Sequence, residues 1–301
     1  MMSLINALPG AVAQGLIWGI MAIGVYLTFR ILDIADLTVD GSLGTGGAVC
    51  IMLMLSGQNV WVAIAGATAA GMAAGLATGI LHTFMGIPAI LAGILTQLGL
   101  YSINLKTMGK ANQAINVDKY DLLVSLRFIR KVPFYKNTIL IVAIAIILLI
   151  VVLYWFFGTE LGCSLRATGC NDKMARAQGI NTDFNRVLGL MISNGLVALS
   201  GAMLCQYQGF ADINMGRGAI VIGLAAVIIG EAIFGKVFRN FGFKLLAVAL
   251  GSIIYYLVLQ VVIWLGIDTD LLKLLSAGVV AVFLAIPTWK SRYFSNMGKR
   301  G

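Results

Sequence analysis

The side chains that could do chemistry are few and do not form a catalytic arrangement. The single histidine, His82, lies inside an apolar run, and Cys163 and Cys170 lie in a polar segment without a histidine nearby. Neither an H-E-x-x-H zinc motif nor a G-x-S-x-G nucleophile motif occurs. The glycine-rich stretch that begins at Asp40 lacks the lysine of a phosphate-binding loop. We therefore expect no enzyme activity, no metal and no cofactor bound by this chain.

Polar side chains recur instead within apolar segments. Gln97, Tyr101 and Asn104 are spaced i, i+4 and i+7, so they share one face of a helix. A polar stripe within lipid faces either a cavity or a neighbouring helix. Both interpretations are open for these three residues and for Asn194, and the first would make them part of a transport pathway.

Carboxylates mark the ends of two apolar segments. Asp33, Asp36 and Asp40 follow the first segment, where they either shape a pathway or lie in a solvated loop, and Asp40 is placed to cap the second helix. Glu231, if buried, is expected to pair with a basic residue of the loop that follows it. The candidates for a translocation pathway are therefore Asp36, Asp40, Gly41, Gln97, Tyr101, Asn104 and Asn194.

The elements that hold these residues are predicted to be membrane-spanning helices. Of the 301 residues, 60% are hydrophobic and 11% are charged, whereas soluble domains are about half apolar and about a quarter charged. A span needs about 20 apolar residues. The sequence thus predicts an all-α polytopic membrane protein, a single domain over 1–301 with about nine transmembrane or re-entrant helices. These are 11–29, 41–55, 60–85, 87–105, 138–157, 187–206, 218–234, 245–265 and 271–287.

Two of these segments are unusually short. The second, 41–55, opens with four glycines, and the seventh, 218–234, ends close to an acidic residue. Short or glycine-interrupted segments are typical of discontinuous helices near the middle of a transporter. We therefore expect these two helices to lie near the pathway.

Lysine and arginine in the loops orient the chain. If the polar segment 162–180 is cytoplasmic, the other loops follow, with the N-terminus outside and the C-terminus inside. The loop 106–136 is the exception, because it places seven of the 21 basic residues outside. Either the topology there is wrong by one span, or the loop meets an acidic partner outside the cell, which we favour because every other loop agrees. The net charge of +9 is then explained by loops against anionic lipid, and no nucleic acid is expected.

The polar segment 162–180 is predicted to contain a short helix. Asn171 or the residue after it would cap this helix, and Gly179 would end it. Met174 and Ala175 would form a small apolar knob among basic neighbours. Such a helix either lies on lipid or docks in a groove of a partner protein. We favour docking, because lipid binding requires larger apolar side chains.

This segment resembles the coupling-helix region of ABC importer permeases, in the subgroup of branched-chain amino acid and ribose-type sugar permeases. The resemblance extends over about residues 11–289, where the stretches 34–41 and 223–230 follow in the family's order, although Glu231 stands where the family usually has a glycine. Some members of the subgroup resemble aromatic amino acid uptake systems. Within the coupling segment the matching residues are Gly162, Leu165, Arg166, Ala167, Thr168, Gly169, Asn171, Met174, Ala175, Gly179 and Ile180.

The resemblance implies one subunit of an importer in the bacterial plasma membrane. The segment 162–180 would contact a cytoplasmic ATP-binding subunit, which would hold ATP and magnesium, and a second copy of the permease would complete the pathway. An external substrate-binding protein would deliver a small organic nutrient, an amino acid of aromatic or branched-chain type, with a sugar or nucleoside as the alternative. Its contacts on the basic loop would be Lys119, Arg127, Arg130 and Lys131.

A secondary transporter or channel that acts alone is the main alternative. Coupling to an ion gradient requires ionisable residues at mid-span. The predicted spans hold almost none, which counts against proton coupling. Co-purification with an ATP-binding subunit would separate the two hypotheses.

Overall fold

The chain is helical throughout almost all of the part that the computed structural model describes. Described are residues 2–117, 120, 122–126, 137–235, 237–238, 240–265 and isolated positions between 274 and 285. In chain order the elements are α1 (Met2–Tyr26), continued by a π-helical turn (Leu27–Ile31), α2 (Thr38–Leu55), α3 (Val60–Thr83), α4 (Ala89–Met108), β1 (Asn112–Ala114), α5 (Thr138–Phe156), α6 (Glu160–Cys170), α7 (Asp172–Ala177), α8 (Thr182–Gln208), β2 (Phe210–Asp212), α9 (Ala219–Phe234) and α10 (Phe241–Trp264).

Within the described residues, seven helices are long and apolar enough to cross a membrane. They are α1 with its π-helical turn, α2, α3, α4, α5, α8 and α10, and α9 is a shorter apolar helix. The prediction of a polytopic helical membrane protein is thus confirmed. The ninth predicted helix, 271–287, and the four basic residues proposed to meet a binding protein lie outside the described residues, apart from the isolated positions named above.

The bundle has two distinct ends. At one end β1 pairs antiparallel with β2, with Asn112 opposite Asp212, so the last turns of α4 and α8 lie together. At the other end a cavity brings together Asp33, Pro88 and Asp172, from the segments after α1, before α4 and in α7. We call these the sheet end and the α7 end. The start of loop 106–136 therefore lies at the same end as β2. This agrees with the chain order, because two membrane-spanning helices, α5 and α8, lie between them.

Two helices, α2 and α9, begin inside the bundle. A helix of 27 residues such as α8 is about 40 Å long, and Asn194, its thirteenth residue, contacts Asp36 just before α2. The amide of Ile220 in the first turn of α9 bonds to Asp40 in α2. From this level α2 runs to the sheet end, and α9 runs to the α7 end, where Glu231 meets Arg30. Both short segments therefore begin deep in the bundle. Their expected place near a pathway stays a prediction.

The glycines of α2 do not interrupt the helix. The helix begins at Thr38, three residues before the predicted start at residue 41. The helix is continuous from Thr38 to Leu55. Gly46 lies against the backbone of Ala198 in α8, and Gly201 in α8 lies against the carbonyl of Leu43 in α2, so that a methyl group at either position would overlap backbone atoms. Small residues allow membrane helices to approach this closely.

Other predicted boundaries also change. The structure begins α8 at Thr182 and α10 at Phe241, each several residues before the predicted span, because polar residues at these ends continue the helix beyond the apolar run. Within the polar segment, α6 (Glu160–Cys170) precedes the predicted short helix and was not expected. This helix contains few apolar residues, so the sequence showed no apolar run that would predict it.

We predict that Gly46→Ala weakens the packing of α2 on α8. The added methyl group would overlap the backbone of Ala198, and overpacking of this kind costs about 1–3 kcal/mol. Thermal unfolding of the purified chain in detergent would measure the loss.

The matched control is Gly99→Ala in α4, where a methyl group would meet no atom within 4 Å. This change should leave stability unaltered or raise it slightly, since alanine favours a helix over glycine. Equal melting temperatures for the two variants would contradict the packing interpretation.

Candidate functional site

A cavity of about 330 Å³ opens between α2, α4 and the loop after β2. Five of the seven predicted pathway residues line it, which places the polar stripe of α4 against the start of α2. The sequence did not identify the other three, among them Arg217, since a residue in a loop shows no periodicity that relates it to α4. The lining residues are Asp40, Gly41, Gln97, Leu98, Tyr101, Asn104, Ile213 and Arg217.

Three polar side chains of this cavity, those of Gln97, Asn104 and Arg217, have no hydrogen-bond or ion-pair partner among the described residues. Asn104 is buried, with 3% exposure, Gln97 is half-buried and Arg217 is exposed. The guanidinium carbon of Arg217 lies 6.0 Å from the centre of the Tyr101 ring. In the described part of the chain Arg217 has no carboxylate within salt-bridge distance. Buried polar groups are nearly always satisfied, so a cavity of this kind suits a small polar ligand.

Asp40 lines the cavity but caps α9 rather than α2, which corrects the prediction. One carboxylate oxygen accepts the amide hydrogen of Gly218 at 2.9 Å, and the other accepts that of Ile220 at 3.0 Å. These amides belong to the first turn of α9, where helical N–H groups have no partner in the helix. The carboxylate is therefore occupied by backbone donors. Its role in the cavity is to hold the α9 terminus and the loop before it.

Asp36 and Asn194 lie in a buried hydrogen-bond network and do not line the cavity. One oxygen of Asp36 accepts the amide hydrogen of Thr38 at 2.9 Å, which makes Asp36 the capping group of α2. The other accepts from the Asn194 side-chain amide at 2.7 Å, and the Asn194 oxygen accepts from the Ser42 hydroxyl at 2.6 Å. Of the two interpretations open for Asn194, the structure thus shows helix-to-helix hydrogen bonding.

A line of three threonine hydroxyls joins α2, α3 and α4 beside this network. The Thr38 and Thr78 hydroxyls lie 2.7 Å apart, and Thr78 donates to Thr96 at 2.8 Å. Thr96 immediately precedes Gln97 of the cavity. The position of the α4 stripe relative to α2 is therefore fixed by hydrogen bonds at one end of the cavity.

The structure separates the coupling-segment residues into two groups. The residues of the first group pack against the bundle, because α6 lies against the π-helical turn and α8, and α7 lies against α8. They are Gly162, Leu165, Thr168, Gly169 and Ala175. Those in the second are exposed: Arg166, Ala167, Asn171, Met174 and Gly179, with Ile180 half-buried. Only the second group is available to a partner.

The predicted short helix is present as α7, although its apolar knob is smaller than predicted. The Asn171 side chain accepts the amide hydrogen of Met174 at 3.1 Å, and Gly179 has a φ of +80°, a left-handed conformation that suits glycine. Met174 is 63% exposed, whereas Ala175 is 3% exposed because it faces the bundle. Of the two residues of the predicted knob, Met174 is therefore the exposed one.

Four charged residues bind α7 to the first turns of α8. Arg176 contacts Asp183 at 2.9 Å and Asp172 at 3.4 Å, and Arg186 contacts Asp172 at 3.3 Å and Asp183 at 3.7 Å. Arg176 also donates to the Thr182 hydroxyl at 2.7 Å. Single exposed pairs contribute little, but a network of several charges gives more. The network makes α7 an extension of α8.

Glu231 pairs with Arg30 of the π-helical turn, a partner that was not predicted. The basic residues predicted to pair with it, Lys236 and Arg239, lie outside the described residues. The Arg30 Nε donates to both carboxylate oxygens, at 2.9 and 3.1 Å. The pair links the π-helical turn after α1 to the last turn of α9. The interaction spans 201 positions in sequence, which explains why the local pattern did not reveal it.

Comparison with known proteins places this geometry in context. The family model of the branched-chain amino acid transport system permease component matches residues 8–290. A tyrosine transport system permease protein of Clostridioides difficile (strain R20291) is 38% identical over 283 residues, 93% of this chain and 91% of that protein. An uncharacterized protein of Rickettsia prowazekii (strain Madrid E) is 36% identical over 284 residues, 93% of this chain and 97% of that protein.

A more distant relative is the autoinducer 2 import system permease protein LsrC of Yersinia pestis (strain Pestoides F). It is 30% identical over 214 residues, 70% of this chain and 58% of that protein. No solved structure matches the chain.

We predict that Asp40→Ala loosens the first turn of α9. Loss of an N-terminal cap costs about 0.5–2 kcal/mol, so amide hydrogen exchange at 218–221 should accelerate roughly 2- to 30-fold in mass-spectrometric measurements. Asp40→Asn, which keeps one acceptor oxygen, should have a smaller effect.

The control is Asp212→Ala. Asp212 also accepts a backbone amide hydrogen, from Asn214 at 2.7 Å, but in an exposed turn. Its removal should leave exchange within α9 unchanged. If Asp40→Ala and Asp212→Ala give the same exchange at 218–221, the capping interaction is not what holds α9.

Proposed function

Because the chain belongs to the family of branched-chain amino acid transport system permease components, we propose that it is the transmembrane subunit of an ATP-driven importer in a bacterial plasma membrane. The observation that carries the proposal is the exposed Met174 on α7, a helix bound by charge pairs to α8. A partner that grips Met174 would move α8. The ATP and magnesium would be held by that partner, and this chain would carry out no hydrolysis.

The proposed path of coupling runs along α8. Force applied at α7 reaches the first turns of α8 through Arg176 and Arg186. Halfway along α8, Asn194 bonds to Asp36 and Ser42, at the start of α2. Because α2 also carries Asp40 and Gly41 of the cavity, a shift of α8 would change the cavity. Packed elements with two arrangements transmit small displacements in this way.

The α7 end is proposed to be cytoplasmic. It carries a cavity of about 750 Å³ whose lining includes Arg30, Arg166 and Lys244, and basic residues are concentrated on the cytoplasmic side of membrane proteins. The sheet end then faces outward. A substrate-binding protein would dock there, and Lys119, Arg127, Arg130 and Lys131 of the basic loop remain the proposed contacts for its acidic surface.

A second copy of the chain is proposed to close the pathway. Tyr101 is 41% exposed although it lines the cavity, and α4 presents a run of exposed apolar side chains on its outer face. The neighbouring residues of this face are Ile90, Leu91, Ile94, Leu95 and Leu98. A second α4 packed there would cover the open side of the cavity and leave Gln97 and Tyr101 directed into a shared space.

The proposed substrate is an amino acid of aromatic or branched-chain type. The cavity volume of about 330 Å³ is near the lower limit of small-molecule sites, and a relative of high coverage is named a tyrosine transport permease. A sugar or nucleoside substrate is the alternative. The charge of Arg217 in the cavity favours a substrate with an acidic group.

We predict that Met174→Glu disrupts docking of the ATP-binding subunit. A carboxylate forced into an apolar groove is costly unless it is paired, so co-purification of that subunit and ATP-driven uptake should both fall by about tenfold or more. The measurement is uptake of labelled L-tyrosine into proteoliposomes that contain the complete complex.

The matched control is Ala111→Glu, which introduces the same charge on an exposed apolar residue at the sheet end. It should leave docking of the ATP-binding subunit intact. Normal co-purification and uptake in Met174→Glu would refute the coupling role and favour a transporter that acts alone.

We also predict that Arg176→Gln uncouples ATP hydrolysis from transport. The ATP-binding subunit should still bind, because Met174 is intact, but the number of substrate molecules moved per ATP should fall. The ion pairs are half exposed, so the expected loss is roughly two- to fivefold, and larger in the double variant with Arg186→Gln.

Lys173→Gln serves as the control, since Lys173 is an exposed neighbour without an ion-pair partner among the described residues. It should keep the ratio of transport to hydrolysis. An unchanged ratio in the double variant would show that α7 and α8 are coupled through another contact.

A further inference from the structure

We infer that the cavity between α2 and α4 binds the carboxylate of an amino acid through Arg217, so that the permease itself selects for the charged form of its substrate. The inference rests on the proposed function and adds to it a binding site within this chain. Its basis is that three polar side chains in the cavity lining, those of Gln97, Asn104 and Arg217, have no hydrogen-bond or ion-pair partner among the described residues.

The backbone at Arg217 is held in place beside the cavity, whereas its side chain is exposed. Its amide hydrogen bonds to the carbonyl of Asn214 at 3.0 Å. On one side Gly216 packs so closely on the Asp40 carbonyl that no larger residue fits, and on the other Gly218 adopts a left-handed φ of +84° and donates to the Asp40 carboxylate. The turn is thereby fixed to α2, so the backbone that carries Arg217 does not have to be ordered when a ligand binds.

The charge balance of the cavity leaves Arg217 as its available cation. Among the described lining residues Asp40 supplies the one carboxylate, and it already accepts two amide hydrogens from the start of α9. Arg217 has no salt-bridge partner in the described part of the chain, and it lies over the Tyr101 ring. A carboxylate is the group that a guanidinium binds best, through two parallel hydrogen bonds.

The remaining lining groups fit the other parts of an amino acid. Asn104 is only 3% exposed. It lines the cavity, yet its side chain makes no hydrogen bond to any described residue. Its side-chain oxygen, with that of Gln97, could accept hydrogen bonds from an ammonium group. Tyr101 and Leu98 supply apolar surface for a side chain. A neutral sugar would use the amides but would leave the guanidinium without a partner.

The test compares two ligands that differ only in the acidic group. Binding of L-tyrosine and of L-tyrosinamide to the complex in nanodiscs would be measured by saturation-transfer NMR for the unaltered protein, Arg217→Gln and Arg217→Lys. We expect the unaltered protein to prefer tyrosine, and Arg217→Gln to bind it roughly tenfold or more weakly with no change for the amide. Arg217→Lys should recover part of the preference because it keeps the charge.

The control is Lys110→Gln, which removes a positive charge from an exposed residue at the sheet end outside the cavity lining. It should leave both affinities unchanged. Three results would overturn the inference: an equal loss for both ligands in Arg217→Gln, no loss for either ligand, or no detectable binding of tyrosine to the unaltered complex.

The inference and the proposed function fail in different ways. ATP-driven uptake that is normal while the nanodisc complex binds no tyrosine would overturn the carboxylate site and leave the importer standing. Binding with the expected dependence on Arg217 but without uptake driven by ATP would support the site and refute the importer.

Discussion

The arrangement of the bundle depends on how two helix N-termini are satisfied inside it. A helix leaves four N–H groups without partners at its start, and in a medium without water each unsatisfied group costs several kcal/mol. Asp36 supplies an acceptor for α2, and Asp40, four residues later, supplies acceptors for α9. Because these two helices can begin at mid-depth, the chain can build a cavity between them and α4 instead of a uniformly packed bundle.

Close glycine packing and side-chain hydrogen bonds hold the helices of the bundle together. Apolar surface does not drive helices together in lipid, so close packing and hydrogen bonds must do so. Glycines bring α2 against α8, and hydroxyl and amide bonds add α3 and α4 to that pair. On the other side Ser252 of α10 donates to the Gly15 carbonyl of α1 at 2.6 Å. Asp40 connects α9 to the first group, and the Arg30–Glu231 pair connects it to the second. The two groups are also joined directly, because Ser193 and Ser200 of α8 donate to carbonyls of α1.

Some of this could be read from sequence and some could not. Hydropathy identified the spans because the signal for a span lies within one segment, and the i, i+4, i+7 spacing identified the α4 stripe that lines the cavity. The partner of Asp40 could not be identified, since Gly218 lies 178 positions away and nothing local relates the two. Arg217 was not predicted as a cavity residue, because nothing local relates its loop to α4. The helix α6 was missed because it packs by glycines and one buried leucine, Leu165, and so lacks an apolar run.

The placement of charge explains why the cavity suits one class of ligand. A negative group in the lining would ordinarily attract cations, yet Asp40 is neutralised by the N-terminus of α9, where the helix dipole favours negative charge. What remains free is the guanidinium of Arg217, with amides that can serve as donors or acceptors. An inorganic cation would find no available anion among the lining residues, and a neutral solute would leave the positive charge unmatched. The same carboxylate that allows α9 to begin inside the bundle therefore also leaves Arg217 as the free charge of the cavity. If the proposed carboxylate site is correct, the stability of the helix terminus and the selectivity of the site would have a common origin.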